Sequence, residues 1–149
     1  MGNFLFEGDV YCVKCNNFMT GTNAADRIPA SVSFIDMKGI DHGVFLVGIG
    51  TEDTAATFQV YQDTSATETV GIKVLTSASQ LIADDDDNKW FTIEFSAEKL
   101  DRANSFRYVT IVPSAGTGND YYCVFFLGFK TRSSPVTQPA NYAYHVALV

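Results

Sequence analysis

The chain has 149 residues, 46% of them hydrophobic and 13% aromatic, with a formal charge of −7 and a pI near 4.6. That length suits one domain able to bury most of the surface its unfolded form exposes, and that apolar content excludes a disordered chain. The 10 Lys and Arg, against 17 Asp and Glu, stand singly along the sequence, which excludes the clustered basic patch that direct nucleic-acid binding needs.

No stretch approaches the ~20 apolar residues that span a bilayer, so no membrane partner is expected. The opening residues Phe4, Leu5 and Phe6 follow no positively charged region and extend into no long apolar core, so a secretory signal is not expected. Gly2 has Phe6 where a myristoylation motif wants Ser or Thr. Cys12, Cys15 and Cys123 make an odd count, which fits free thiols in a chain made in the cytoplasm.

In chain order, residues 1–8 read as an arm or a leading edge strand, and 9–15 as a first strand. Residues 16–29 are polar, with Gly21, Asn23 and Asp26, and read as a loop. A second strand is expected over 31–37, then a turn over 38–41. Residues 43–49 form a short continuous apolar run, the pattern of a central buried strand. Residues 56–62 and 70–76 alternate, placing Phe58 and Val60 on one face of the first and Ile72 with Val74 on one face of the second, with a polar connection at 63–69. Residues 79–82 lead into the acidic turn 84–88.

Phe91, Ile93 and Phe95 then alternate with Trp90, Thr92 and Glu94, the best-defined strand pattern so far. Ser96 is a good N-cap for one helical turn over 96–101, and Leu100 can fold back onto the sheet. Phe106, Tyr108, Thr110 and Val112 alternate with Arg107, Val109 and Ile111. A Gly-containing loop over 113–120 precedes a nearly unbroken apolar strand over 121–129. Pro135 and Pro139 demand extended backbone beyond it. The alternation of Tyr142, Tyr144, Val146 and Leu148 reads as an edge strand or as an arm that pairs with another subunit. About eight strands with no long helix predict an all-β, antiparallel β-sandwich or jelly-roll-like single domain over 1–149. Its core is expected at 9–130, with extended N- and C-terminal arms at 1–8 and 131–149.

Chemistry is harder to find. Cys12 and Cys15 form a C-x-x-C, but on strand-like sequence, with only Cys123, His42 and His145 as further soft ligands, far apart; neither a redox nor a zinc motif results. The run of Asp84, Asp85, Asp86 and Asp87 lacks the spaced ligands and glycine of a calcium loop and reads as a solvated turn. His42 beside Asp41, with Ser31 and Ser33 upstream, suggests a hydrolase triad only in composition, since no Gly-x-Ser-x-Gly elbow occurs. Glu52 with Asp53, and Glu94 with Glu98, are carboxylate pairs of undefined separation. Trp90 and Tyr61 could stack on sugars or pack at an interface. Gly116, Thr117 and Gly118 read as a turn. No catalytic residue, metal ligand or cofactor is therefore assigned.

One resemblance adds to this reading. The buried strand at 44–49, Phe-Gln-Val-Tyr-Gln-Asp-Thr-Ser-Ala at 58–66, the acidic turn before Trp-Phe-Thr-Ile-Glu at 90–94, Leu-Asp-Arg-Ala-Asn-Ser-Phe-Arg-Tyr-Val-Thr-Ile at 100–111 and the apolar strand ending at Phe129 run in order. Over roughly residues 40–130 the chain resembles small virion proteins of tailed bacteriophages, often encoded near the major capsid gene. The resemblance implies a non-enzymatic capsid decoration or cement protein on the virion surface. Its partner would be the major capsid protein, bound in many copies, with a homo-oligomer, a trimer first, as the free form. Under that expectation Phe4, Leu5, Phe6, Tyr142 and Tyr144 are the interface anchors on the two arms. The Cys12 and Cys15 pair and the Pro-containing tail have no counterpart in the resemblance. A carbohydrate-binding or tail- or fibre-associated β-sandwich module is the alternative.

Overall fold

The computed structural model describes residues 10–14, 19–21, 28–29, 34–51, 55–67, 72–83, 86–113 and 120–129. They form nine strands: β1 (Val10–Lys14), β2 (Met19–Gly21), β3 (Ile35–Asp36), β4 (His42–Ile49), β5 (Ala56–Asp63), β6 (Lys73–Ile82), β7 (Trp90–Ser96), β8 (Tyr108–Pro113) and β9 (Asp120–Phe129). The expected arms at 1–8 and 131–149 lie outside the described residues.

All pairing between strands is antiparallel. Sheet A runs β1–β9–β4–β7, with β2 also on β9, and sheet B runs β3–β8–β5–β6. β1 lies along 125–129 of β9 and β2 along 120–122, so the two act as one interrupted edge strand. Counted that way, each sheet has four strands, and apart from the β5–β6 pair successive strands cross between sheets, in the order of a jelly roll. Of the two architectures the sequence left open, strand order selects this one.

Alternation fills the space between the sheets. Phe45, Val47 and Ile49 of β4, Ile93 and Phe95 of β7, and Tyr122, Val124 and Phe126 of β9 meet Phe58 and Val60 of β5, Leu75 of β6, and Val109 and Ile111 of β8 in one core. Phe45 stacks on Phe95 at 6.0 Å between centroids and meets Phe126 edge-on at 5.1 Å. Phe58 meets Phe91 and Tyr122 edge-on at 5.2 and 5.3 Å, tying the sheets together. Ser96 caps the expected turn: its Oγ accepts from the Glu98 amide at 3.2 Å, and Leu100 is buried.

Three expectations need correction. Residues 16–29 are not all loop, because 19–21 pair with the part of β9 that β1 is too short to cover. The strand expected over 31–37 is reduced, among the described residues, to Ile35–Asp36. The strand expected over 70–76 is, among the described residues, β6 from Lys73 on through 79–82, and it is Leu75 that enters the core while Val74 is exposed. The β5–β6 register shifts between Gln59 and Tyr61, and such an irregularity re-aims the strand that carries it.

Candidate functional site

The outer face of sheet A is apolar along β4 and β9, where a solvated antiparallel face would carry polar residues, and polar along β7 beyond Trp90. Since odd residues of β4 and β7 and even residues of β9 point inward, the outer rows follow from the register. They are Trp90–Gly48–Cys123, Thr92–Leu46–Phe125, Glu94–Val44–Leu127 and Ser96–His42–Phe129. The near-continuous apolar sequence of β9 is thus apolar on both of its faces. Trp90 remains 57% exposed and Tyr121 41%. The Trp90 ring lies against the backbone of Gly48, where an added Cβ would come within 2.7 Å of it. Glycine is needed for that close approach.

One end of the sandwich gathers basic side chains around a cavity. β4 pairs His42 with Ser96 and Gly48 with Trp90, so the turn at 37–41 and the segment 97–107 share one end, and the acidic turn lies at the other. At the first end a shallow cavity of about 370 Å³ is lined by Lys38, Arg102 and Arg107 over an apolar floor that includes Met37, Leu100 and Phe106. The wall is held by backbone and side chains. Met37 N donates to Arg107 O at 3.0 Å, Arg107 N to Asp63 O at 3.0 Å, and Asp101 N to the buried Gln62 Oε1 at 2.8 Å. Ser105 takes a left-handed φ of 65° between Asn104 and Phe106.

Arg107 makes a forked pair with Asp36, at 2.7 and 2.9 Å, and lies 4.8 Å from the Tyr108 ring centroid. Lys73 donates to Asp101 at 2.7 Å. That bond first, and the bonds from Asn104 next, hold the Asp101 carboxyl below its ordinary value. Arg102 Nε donates to Ala97 O at 3.2 Å. Among the described residues, neither Lys38 nor Arg102 has a carboxylate partner. At the far end Asp86 accepts from Lys89 at 2.6 Å and from the Ala83 amide at 2.9 Å. Lys89 first, then that amide, lower its pKa. Asp87 and Asn88 complete the turn, both exposed, with Asn88 at φ 57°.

The expected anchors Phe4, Leu5, Phe6, Tyr142 and Tyr144 lie outside the described residues, as do Ser31, Ser33, Glu52, Asp53, Asp84, Asp85, Gly116 and His145. His42 opens β4, with Nε2 3.6 Å from Glu94 Oε2, both partly exposed. Cys12 is in register with Leu127, four positions along β9 from Cys123, which is a buried free thiol. Trp90 and Tyr61 do not form a joint sugar platform: Trp90 is on the outer face of sheet A and Tyr61, beside Thr110 of β8, on that of sheet B. Among the described residues no group of three or more His, Cys, Asp and Glu could hold a metal ion, and no helix is long and apolar enough to cross a membrane. The cationic cavity was missed by sequence reasoning, because its basic residues are scattered along the chain and only the fold gathers them.

No protein-family model and no curated protein matches the chain. Among solved structures it is similar to a protein of the Bacillus endospore appendages, described as a novel family of disulfide-linked pili. That likeness has 13% identity and a TM-score of 0.41, over 83% of this chain and 88% of that one. It is less similar to a chain of infectious bursal disease virus strain Gt, with 10% identity and a TM-score of 0.23 over 83% and 41%. Neither neighbour's role carries over at these values; the fold class rests on the strand pairing of this chain.

Proposed function

We propose that this jelly roll is a non-enzymatic structural protein of a tailed-bacteriophage virion. In this reading it is a head-decoration protein, made in the host cytoplasm, that binds the major capsid protein lattice in many copies and stabilises the head. The observation that carries the reading is the outer face of sheet A, where Leu46, Phe125, Leu127 and Phe129 form an apolar layer beside the exposed Trp90 and Tyr121. A rigid aromatic sheet of this kind suits recognition by shape and burial rather than turnover, and repeated engagement of a lattice makes modest single contacts add up. Jelly rolls also serve lectins, so function is argued from the site and not from the fold.

The test is sedimentation of native source material, with mass spectrometry asking whether this chain travels with virion-sized particles. Co-migration at high copy relative to a major shell protein is expected; recovery only in the small soluble fraction removes the reading. The arms are tested separately. β1 begins at Val10 and β9 ends at Phe129, so deleting residues 1–8 or 136–149 removes no described strand. Both truncations should keep the fold and weaken shell binding. The exposed Trp90 ring favours the carbohydrate-binding alternative to this extent: a saturable glycan affinity lost in Trp90→Ala would put that module first.

A further inference from the structure

β7 is the outermost strand of sheet A, and among the described residues one of its long sides has no strand beside it. Ile49 N donates to Lys89 O and Ala97 N to Asp41 O, both at 2.9 Å. In the register that contains these bonds, the odd residues of β7 bond to β4. The N–H and C=O groups of Trp90, Thr92, Glu94 and Ser96 therefore point to the open side. We propose that two copies of this chain join along this edge, β7 against β7 and antiparallel about a two-fold axis, so that sheet A runs on through both. The other edges are guarded in ways that discourage such pairing. β3 is two residues long, β1 and β2 make an interrupted edge, and β6 pairs through a register shift. β7 is seven residues long and keeps one register throughout. Its larger outward side chains leave the backbone clear, since the Trp90 ring leans over Gly48 and Glu94 reaches His42, both on β4.

The occupant follows from the strand's own sequence. With Ile93 on the axis, Trp90 faces Ser96 of the second copy and Thr92 faces its Glu94, and every outward residue exchanges backbone bonds with its opposite. A slip of two residues in either direction leaves one end unpaired, and one of those slips sets Glu94 directly against Glu94. The centred register places no like charges opposite each other. On the inner face it brings Ile93 to Ile93 and Phe91 to Phe95, so the half-buried Phe91 at the rim of the core gains apolar cover. Another extended peptide could bond to the same backbone, but a second β7 also matches it side chain by side chain. The same surface is used by both copies, so the contact is isologous and closes at two. It requires no shell protein, so its failure would leave the virion reading in place.

The experiment is sedimentation equilibrium of the full chain from about 1 μM to about 1 mM, at about 0.15 M salt to screen the charge shared by both copies. A monomer–dimer equilibrium is expected; a monomer throughout, or a closed trimer, overturns the proposal. Hydrogen exchange on the same chain then reads which edge is covered. The amides of Trp90, Thr92, Glu94 and Ser96 should exchange at least about tenfold more slowly at the high concentration than at the low one. Those of Phe91, Ile93 and Phe95, bonded to β4, should be protected at both. Exchange at the four outward amides that ignores concentration overturns the proposal. Thr92→Pro removes an outward N–H and spares the β4 ladder, a change that an edge strand accepts. It should weaken the dimer at least about tenfold, with a melting temperature close to that of the parent chain. Thr92→Val keeps the N–H and should dimerise as the parent does. Parent-like dimerisation of folded Thr92→Pro, or an equal loss in both variants, overturns the proposal. The exchange measurement needs no variant, so it decides the question even where Thr92→Pro loses its fold.

Discussion

The two outer faces of the sandwich are built from the same alternation but to different ends. On sheet A the outward residues of β4 and β9 are Val44, Leu46, Gly48, Cys123, Phe125, Leu127 and Phe129, most of them half-buried or buried. On sheet B the outward residues include Thr57, Gln59, Tyr61 and Asp63 of β5 and Tyr108 and Thr110 of β8, and polar bonds hold them. Gln59 Nε2 donates to Leu75 O at 3.1 Å across to β6, and Thr110 Oγ1 donates to Ile28 O at 3.1 Å and Pro29 O at 3.3 Å. Ile28 and Ile111 exchange two backbone bonds beside it, so the fully buried Thr110 hydroxyl is satisfied. On sheet B hydrogen bonds close the β5–β8 surface, with Val74 and Leu81 of β6 exposed beyond it, whereas the outer rows of β4 and β9 on sheet A are apolar and half-buried or buried, with Trp90 and Tyr121 exposed beside them.

The largest expected effect sharpens the contrast between the inner and outer layers of sheet A. Phe126→Ala should cost about 3–5 kcal/mol, since the ring is fully buried against Phe45. Its neighbour Phe125, on the other face, should cost roughly 1–2 kcal/mol on truncation if the outer layer is packed as described. Urea unfolding separates the cases, and a loss below about 0.5 kcal/mol would make the outer face ordinary solvent surface. Gly43 and Gly48 repeat the contrast on one strand. A Cβ at Gly43 would lie 2.7 Å from the buried Phe95 ring and 2.9 Å from Phe126, so Gly43→Ala should cost about 1–3 kcal/mol by overpacking. At Gly48 the obstacle is the exposed Trp90, which can swing aside. Gly48→Ala should change stability by less than about 1 kcal/mol while red-shifting the fluorescence of this single tryptophan.

A charge compares the two sheets directly. Val44→Lys, at 8% exposure, should lose roughly 1–3 kcal/mol. Leu81→Lys on sheet B, at 65%, should stay within about 0.5 kcal/mol in the same thermal melts. The smallest effect is at the acidic turn. The folded-state pKa of Asp86 is depressed below 3.8, so its stabilisation is present above the unfolded value and lost as pH falls through the folded one. That stabilisation should be fully present and independent of pH near neutrality, and be lost as acid takes the pH below about 4. An NMR titration should find the Asp86 midpoint low in the parent chain and restored toward the ordinary value in Lys89→Met.

Legibility followed how local each determinant is. β4, β7 and β9 were readable because their runs are long and their faces unambiguous, and the cap at Ser96 because it needs only the amide two residues on. β2 was not, since Met19–Gly21 is an edge created by the unpaired length of β9. β6 was misjudged where its polar middle interrupts the pattern and its pairing slips opposite Gln59 and Tyr61. The cationic cavity had no local signal. Lys38, Arg102 and Arg107 meet only because Met37 bonds to Arg107 and Gln62 reaches Asp101.

By itself, then, the amino-acid order determined the fold class, most strand positions and which residues of β7 and β9 are apolar, because period-two burial is written into neighbouring side chains. Tertiary structure alone decided the jelly-roll strand order, the opposite placement of Trp90 and Tyr61, the apolar outer rows of β4 and β9, and the gathering of Lys38, Arg102 and Arg107 around one cavity. Each of these depends on pairing between distant segments, where register and crossover set which side chains become neighbours.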